Sequence, residues 1–263
     1  MPVEPSRKAT SFHDTASRRG AALAAAVLAL VTMGAAGCKD LTAGPTQTKE
    51  QDQTYQHPVS QIDFAVASGK VSLSPGSDGA VVVHRTLKWD KTEPVVSEVW
   101  SGDTLRVTAT CPDGENCSVD FTVQVPASVA VQTNDGTGDI SLRDLTGPVD
   151  VTLGTGDVDL TGLHGRVRVS SHTGRISGSA LQSTDVDLTG ATGDVTAEFA
   201  RVPDDVQAVT GTGTVHVTVP QGTTGYRVQA RTTTGKATVD VPQETSSARS
   251  IVAKASTGDV RVD

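Results

Sequence analysis

Two cysteines, Cys111 and Cys117, flank the run Pro-Asp-Gly-Glu-Asn. A turn-rich spacer of this kind brings the thiols near enough to bridge, and outside the cytoplasm they oxidise to a disulfide that clamps a hairpin. A zinc site would need further ligands nearby, and no His or Cys supplies them. Charged side chains recur in two rows, Asp150, Arg168, Asp187 and Asp157, Arg175, Asp194. If the segments that bear them stack as strands about 4.8 Å apart, each arginine lies between two carboxylates. That arrangement is structural charge compensation and not acid–base catalysis. Ser, His and Asp all occur, yet no Gly-x-Ser-x-Gly seats a nucleophile. His57, His84, His164, His172 and His216 share no spacing and are expected at scattered surface positions.

The run Gly154-Thr-Gly-Asp157-Val-Asp159 offers two carboxylates to a cation. Calcium-binding β-roll repeats need Gly-Gly-x-Gly-x-Asp with the aspartate at a set parity, and position 158 here is Val. No metal and no cofactor is expected. The remaining cysteine, Cys38, follows Gly34-Ala-Ala-Gly37 and the apolar run 21–33, behind an N-region with Arg7, Lys8, Arg18 and Arg19. The run is too short and alanine-rich for a good membrane span and reads as a cleaved export signal over 1–37. Small residues before a cysteine resemble a bacterial lipobox, which implies that Cys38 is diacylated and becomes the mature N-terminus. The alternative is an ordinary signal cut that leaves Cys38 free. Ser17-Arg18-Arg19 also resembles a twin-arginine signal, so the export route stays open.

These residues must be positioned by the rest of the chain, and there one phrase recurs seven times. An aliphatic residue (Val131, Val149, Val167, Val186, Val206, Val228 or Ile251) is followed at a fixed interval by a glycine, namely Gly138, Gly156, Gly174, Gly193, Gly213, Gly235 and Gly258. The distance between successive phrases grows from 18 to 23 residues. A fixed unit separated by variable loops is a stacked repeat. Val, Thr and Gly disfavour helix, so the chain reads as all-β, a β-solenoid of two-strand coils joined by a glycine turn. Period-two alternation places the first residue of each phrase and the residues nine and eleven positions later in the core. The later loops, 201–205, 220–225 and 242–250, are longer and form the variable edge on which recognition is most readily placed.

Upstream, alternating strands with turn signals fill 61–130 and form a β-rich cap over the solenoid of 131–263. Within that cap, residues 64–73 look like a degenerate repeat with Ser68-Gly69 in the Thr-Gly place. Trp89 and Trp100 flank Asp90-Lys-Thr-Glu-Pro94 and are expected in the cap core. Residues 38–60 are polar, without apolar periodicity, and read as the lipidated cysteine and a flexible tether. The whole chain carries 22 Lys and Arg against 30 Asp and Glu, a net charge of −8. Without residues 1–37 the balance is 18 to 28, which argues against binding nucleic acid or anionic lipid by electrostatics.

Repeated Thr-Gly-Asp-Val or variants at 137–140, 155–158, 192–195 and 257–260, with the lead-in Phe121-Thr-Val-Gln-Val-Pro126-Ala-Ser-Val-Ala-Val131, resemble the putative-adhesin β-strand-repeat family DUF4097. The resemblance spans about 62–263 and implies an extracytoplasmic bacterial β-solenoid, sometimes associated with envelope-stress systems. It brings no binding residues with it. The function expected is a non-enzymatic, adhesin-like surface protein held on the extracytoplasmic face of the cell membrane by the lipid on Cys38, contacting an envelope or extracellular partner. One alternative is a regulatory accessory acting through a membrane partner. The other is a carbohydrate-active β-helix enzyme using Asp157 or Asp159, but only Phe199 and Tyr226 among aromatics fall in the repeats, which leaves little for sugar stacking.

Overall fold

The computed structural model describes residues 47–77, 79–112, 116–222 and 225–263. The export signal, Cys38 and the first part of the expected tether lie outside the described residues. Among the described residues, twenty-one strands form an 11-stranded and a 10-stranded sheet. Each coil contributes one strand to each sheet, and the apolar faces of the two sheets meet in a continuous core.

The regular coils are β8 (Ala130–Thr137) with β9 (Ile140–Arg143), β10 (Val149–Thr155) with β11 (Val158–Thr161), β12 (Val167–Thr173) with β13 (Ile176–Leu181), β14 (Asp185–Thr192) with β15 (Val195–Phe199) and β16 (Asp205–Thr212) with β17 (Val215–Thr218). Pairing between them is parallel and in register, so Val131, Val149, Val167, Val186 and Val206 line up. All five are buried, as are Ile140, Val158, Ile176, Val195 and Val215 from the other sheet. Full burial of one such side chain is worth roughly 1.5–3 kcal/mol, so each coil is held mainly by its two apolar columns. Between the paired strands the chain turns at the recurring glycine. At Gly156 φ is +139°, and a Cβ there would lie 2.0 Å from the carbonyl oxygen of Gly138 in the neighbouring coil. A side chain at this corner would push the coils apart.

The degenerate repeat is a full coil of the same stack. β2 (Gln61–Val66) pairs with β8, β3 (Val71–Pro75) pairs with β9, and Gly69 has φ +134°. Outside it lies another coil, β6 (Thr104–Thr110) with β7 (Cys117–Val125), in which a disulfide between Cys111 and Cys117 stands where other coils have the glycine corner. The regular stack thus reaches back into the segment expected as a separate cap. The cap proper consists of β4 (Val81–Trp89) and β5 (Val95–Ser101), which turn the pairing antiparallel, with β1 (Gln47–Tyr55) beyond β4.

β1 corrects the expected tether. Gln47–Tyr55 pairs along its length with β4. One face of this edge strand meets water, so its polar alternation carries no apolar signal. Only Tyr55 reaches the core, where it packs edge-on against Trp100 with ring centroids 5.4 Å apart. Trp89 is buried and Trp100 is half-buried.

At the other end, sequence order and spatial order part. β20 (Ser250–Thr257) and β21 (Val260–Val262) sit directly on the β16–β17 coil, and β18 (Arg227–Thr234) with β19 (Ala237–Val239) lies outermost. Packing accounts for the exchange. The inner place goes to the coil with the more apolar inward column, Ile251, Ala253, Ala255, Val260 and Val262, against Val228, Ala230, Thr232, Ala237 and Val239 at the aligned positions of the outer one.

Candidate functional site

The outward faces follow from the same alternation. On the ten-stranded sheet, Gln132, Asp150, Arg168, Asp187 and Gln207 form one aligned row and Asn134, Thr152, Ser170 and Thr189 another. A shallow groove lies along each row. A groove of about 440 Å³ is lined by Asn134, Thr152, Ser170, His172 and Thr189, and one of about 210 Å³ by Gln61, Gln132, Asp150, Arg166 and Arg168. Parallel pairing repeats these side chains about every 4.8 Å along the stack. The surface is therefore a periodic array of hydroxyl, amide and charged groups, suited to hydrogen bonding an extended partner.

The first charge row is half-formed. Arg168 approaches Asp150 at 3.9 Å, but Asp187 takes its hydrogen bonds from Gln207 and Thr189. A surface guanidinium gains little from a second carboxylate, and a neighbouring amide or hydroxyl satisfies Asp187 instead. The second row differs for another reason. Arg175 pairs with Asp157 at 3.2 Å, whereas Asp194 accepts the backbone N–H of Thr214 at 2.7 Å.

That bond exposes a rule the charge pattern had hidden. Each aspartate following the corner accepts the N–H of the equivalent residue one coil further on: Asp120 from Lys70, Asp139 from Asp157, Asp157 from Arg175, Asp194 from Thr214 and Asp259 from Lys236. The corner breaks the strand ladder and leaves this N–H without a backbone partner, and the carboxylate supplies one. The recurring Thr-Gly-Asp was the signal, and its aspartate is a staple between coils. Lys70 adds its ammonium to Asp139 at 2.8 Å, and that hydrogen bond, with the Asp157 N–H, holds the Asp139 carboxyl below the usual carboxylate range.

Asp157 and Asp159 do not converge. Asp157 is tied to Arg175 at the corner, while Asp159 stands exposed on the outer face of the 11-stranded sheet between Ser141 and Ser177. Among the described residues no three His, Cys, Asp or Glu side chains gather as a metal site would require. Nor is any helix among them long and apolar enough to cross a membrane. The histidines are dispersed: His84 meets Asp52, His216 meets Asp263 and His57 lies against Trp100.

Two polar features had no sequence signal. Asp135 is buried, accepts the Val66 N–H at 2.7 Å and has a second oxygen with no partner, and burial pushes its pKa up to about 6. At the cap, Glu98 receives Arg85 at 2.5 Å and the Tyr55 hydroxyl. Burial and then the bond to Glu98 raise the Tyr55 phenol well above its ordinary value. The loops at the variable edge are tied together around Tyr226, whose N–H bonds Pro242 and whose carbonyl accepts from Glu244.

Residues 113–263 match the family described as Toastrack DUF4097. The chain belongs to this family. Among solved structures, it is similar to a putative cell adhesion protein from Clostridium sporogenes at 13% identity and a TM-score of 0.37, over 82% of this chain and 99% of that one. A putative adhesin from Bacteroides fragilis is similar at 12% identity and a TM-score of 0.39, over 82% and 97%. A putative lipid binding protein from Parabacteroides distasonis gives 10% identity and a TM-score of 0.29, over 83% and 98%. A search of curated proteins gave no match. The Toastrack match begins at the disulfide corner between β6 and β7, which lie in different sheets and so form a coil and not the expected hairpin, while the glycine corner and the parallel pairing extend the same architecture back to Gln61.

Proposed function

We propose that this Toastrack protein is a non-enzymatic surface-binding module, adhesin-like in role, displayed on the extracytoplasmic face of the cell membrane through acylated Cys38. The observation that carries the reading is the outer face of the ten-stranded sheet. Its polar rows run in register over at least four coils, while the carboxylates that an enzyme would need are dispersed or occupied as staples. A surface of this kind gains affinity by repeating a weak contact along an extended partner. The partner is an envelope or extracellular molecule rich in hydrogen-bonding groups.

The experiment separates binding from anchoring. Envelope extracts are passed over the immobilised exported chain, unacylated through Cys38→Ser, and over the same chain carrying Thr152→Val and Thr189→Val. These isosteric changes remove hydroxyls and keep strand propensity. Retention of an envelope component by the first and its loss by the second is expected; equal retention by both removes the sheet face from the proposal. For the anchor, Cys38→Ala in cells is expected to release the protein from the membrane fraction, and unchanged partitioning overturns acylation.

A further inference from the structure

The two ends of the solenoid differ in a way that fits one to the other. At the cap end both sheets finish in antiparallel strands, β5 and β1, each with one edge unpaired among the described residues. At the opposite end, among the described residues, both sheets finish in parallel strands of a repeat coil, β18 and β19, and no cap covers them. Val228, Ala230 and Val239 occupy columns that are buried in the inner coils, yet they are only partly covered, and Ala237 is exposed. Stacked repeats require polar caps at their ends, because an open coil offers both apolar surface and unpaired backbone groups.

Charge is divided in the same direction. Residues 47–225 carry 11 Lys and Arg against 23 Asp and Glu, whereas residues 226–263 carry six against four. Arg231 and Lys236 are exposed at the open end and make no ion pair among the described residues. Two such ends brought together would set these cations against each other. The cap end offers carboxylates instead: Glu50 and Asp52 are exposed along β1, Asp52 beside His84, while Lys49 on the same strand is taken by Glu93. It also carries Val95 and Val99, 58% and 55% exposed on β5. We propose that the open β18–β19 end docks onto the β5–β1 end of a second copy, continuing both sheets across the contact. β18 then meets β5 and β19 meets β1, edge strands of the same two sheets. The contact is head-to-tail and does not close on itself, so it propagates into short filaments. The basic residues thereby exclude the same-end pairing while permitting this one.

The test is sedimentation velocity of the exported chain with Cys38→Ser over a concentration series at low and high salt. Association that rises with concentration and weakens with salt is expected, since exposed charges are screened beyond a Debye length. Lys236, beside β19, is the cation that faces the β1 carboxylates, so Lys236→Glu, and separately Glu50→Lys with Asp52→Lys, are each expected to weaken association at least about tenfold. Mixing the two charge-reversed proteins is expected to restore it, a rescue that a misfolded variant could not give. A chain that stays monomeric throughout at low salt overturns the proposal. So does association that neither reversal changes, or that the Lys236 reversal strengthens.

Discussion

The carboxylate of Asp157 holds Arg175 twice, accepting its backbone N–H at 2.8 Å and its guanidinium at 3.2 Å. The two bonds are unequal in consequence. The first satisfies a main-chain donor at a corner where the strand ladder is broken, whereas the second is an ion pair with both partners about half exposed. Asp157→Ala should therefore destabilise the protein by about 1 kcal/mol. Arg175→Ala keeps the backbone bond and should cost roughly half of that or less. Urea unfolding of the two variants checks the order, and a larger loss from Arg175→Ala would mean that the ion pair, not the staple, joins these coils.

Gly156→Ala should be far more damaging than its size implies. The new Cβ would lie 2.0 Å from the Gly138 carbonyl oxygen at a φ of +139°, and strain of this kind costs about 1–3 kcal/mol before any displacement of the neighbouring coil. At Gly222 nothing lies within 4 Å of an added Cβ, so Gly222→Ala serves as the control. Thermal unfolding should show a drop of several degrees for the first, roughly 2–4 °C per kcal/mol in a chain of this size, and almost none for the second.

Asp135 gives the protein a pH dependence of unusual sign. Its folded pKa of about 6 lies above the ordinary value of 3.8 because burial disfavours the charged form. The native state therefore binds the proton more tightly than the unfolded chain, and stability rises as pH falls from about 6 toward 4. Asp139 acts oppositely: its pKa is lowered, first by the Lys70 hydrogen bond, so its contribution is present above the ordinary value and lost as pH falls through the lowered one. Stability should peak in mildly acidic solution. Asp135→Asn retains an acceptor for Val66 and should raise stability at pH 8 while flattening the profile between pH 4 and 6, as followed by denaturation midpoints across pH.

The disulfide stands in for a glycine corner in the coil that joins the cap to the stack. Its loop is short, so removing it through Cys111→Ala and Cys117→Ala should cost about 2 kcal/mol. Hydrogen exchange should show the loss concentrated in β6 and β7, with the coils beyond β8 unchanged, because each coil pairs only with its neighbours.

How much of this was legible in the sequence depends on what each residue contacts. The column Val131, Val149, Val167, Val186 and Val206 speaks through periodicity alone, since burial of one strand face is written into alternation. Gly69 was legible for the same reason: its neighbours keep the repeat's spacing. The order of the terminal coils was not. Val228 and Ile251 begin similar phrases, and the choice between them rests on small differences in apolar volume summed over a coil. β1 was illegible because an edge strand half in water needs no apolar pattern. Asp135 and Glu98 were illegible because their partners, Val66 and Arg85, are distant in sequence and have no shared spacing.

The exchange of the last two coils has a bearing on how the molecule is made and on how it can change length. As the chain leaves the ribosome, β18 and β19 emerge before the layer on which they finally rest. Their seat exists only once residues 250–262 have slotted in above β17. Completion of this end therefore waits for β20 and β21, and a truncation at Asp240 removes the penultimate layer while leaving the outermost one stranded. Loss of residues from Asp240 onward therefore does not peel the rack one slice at a time, because the slice it takes lies beneath another.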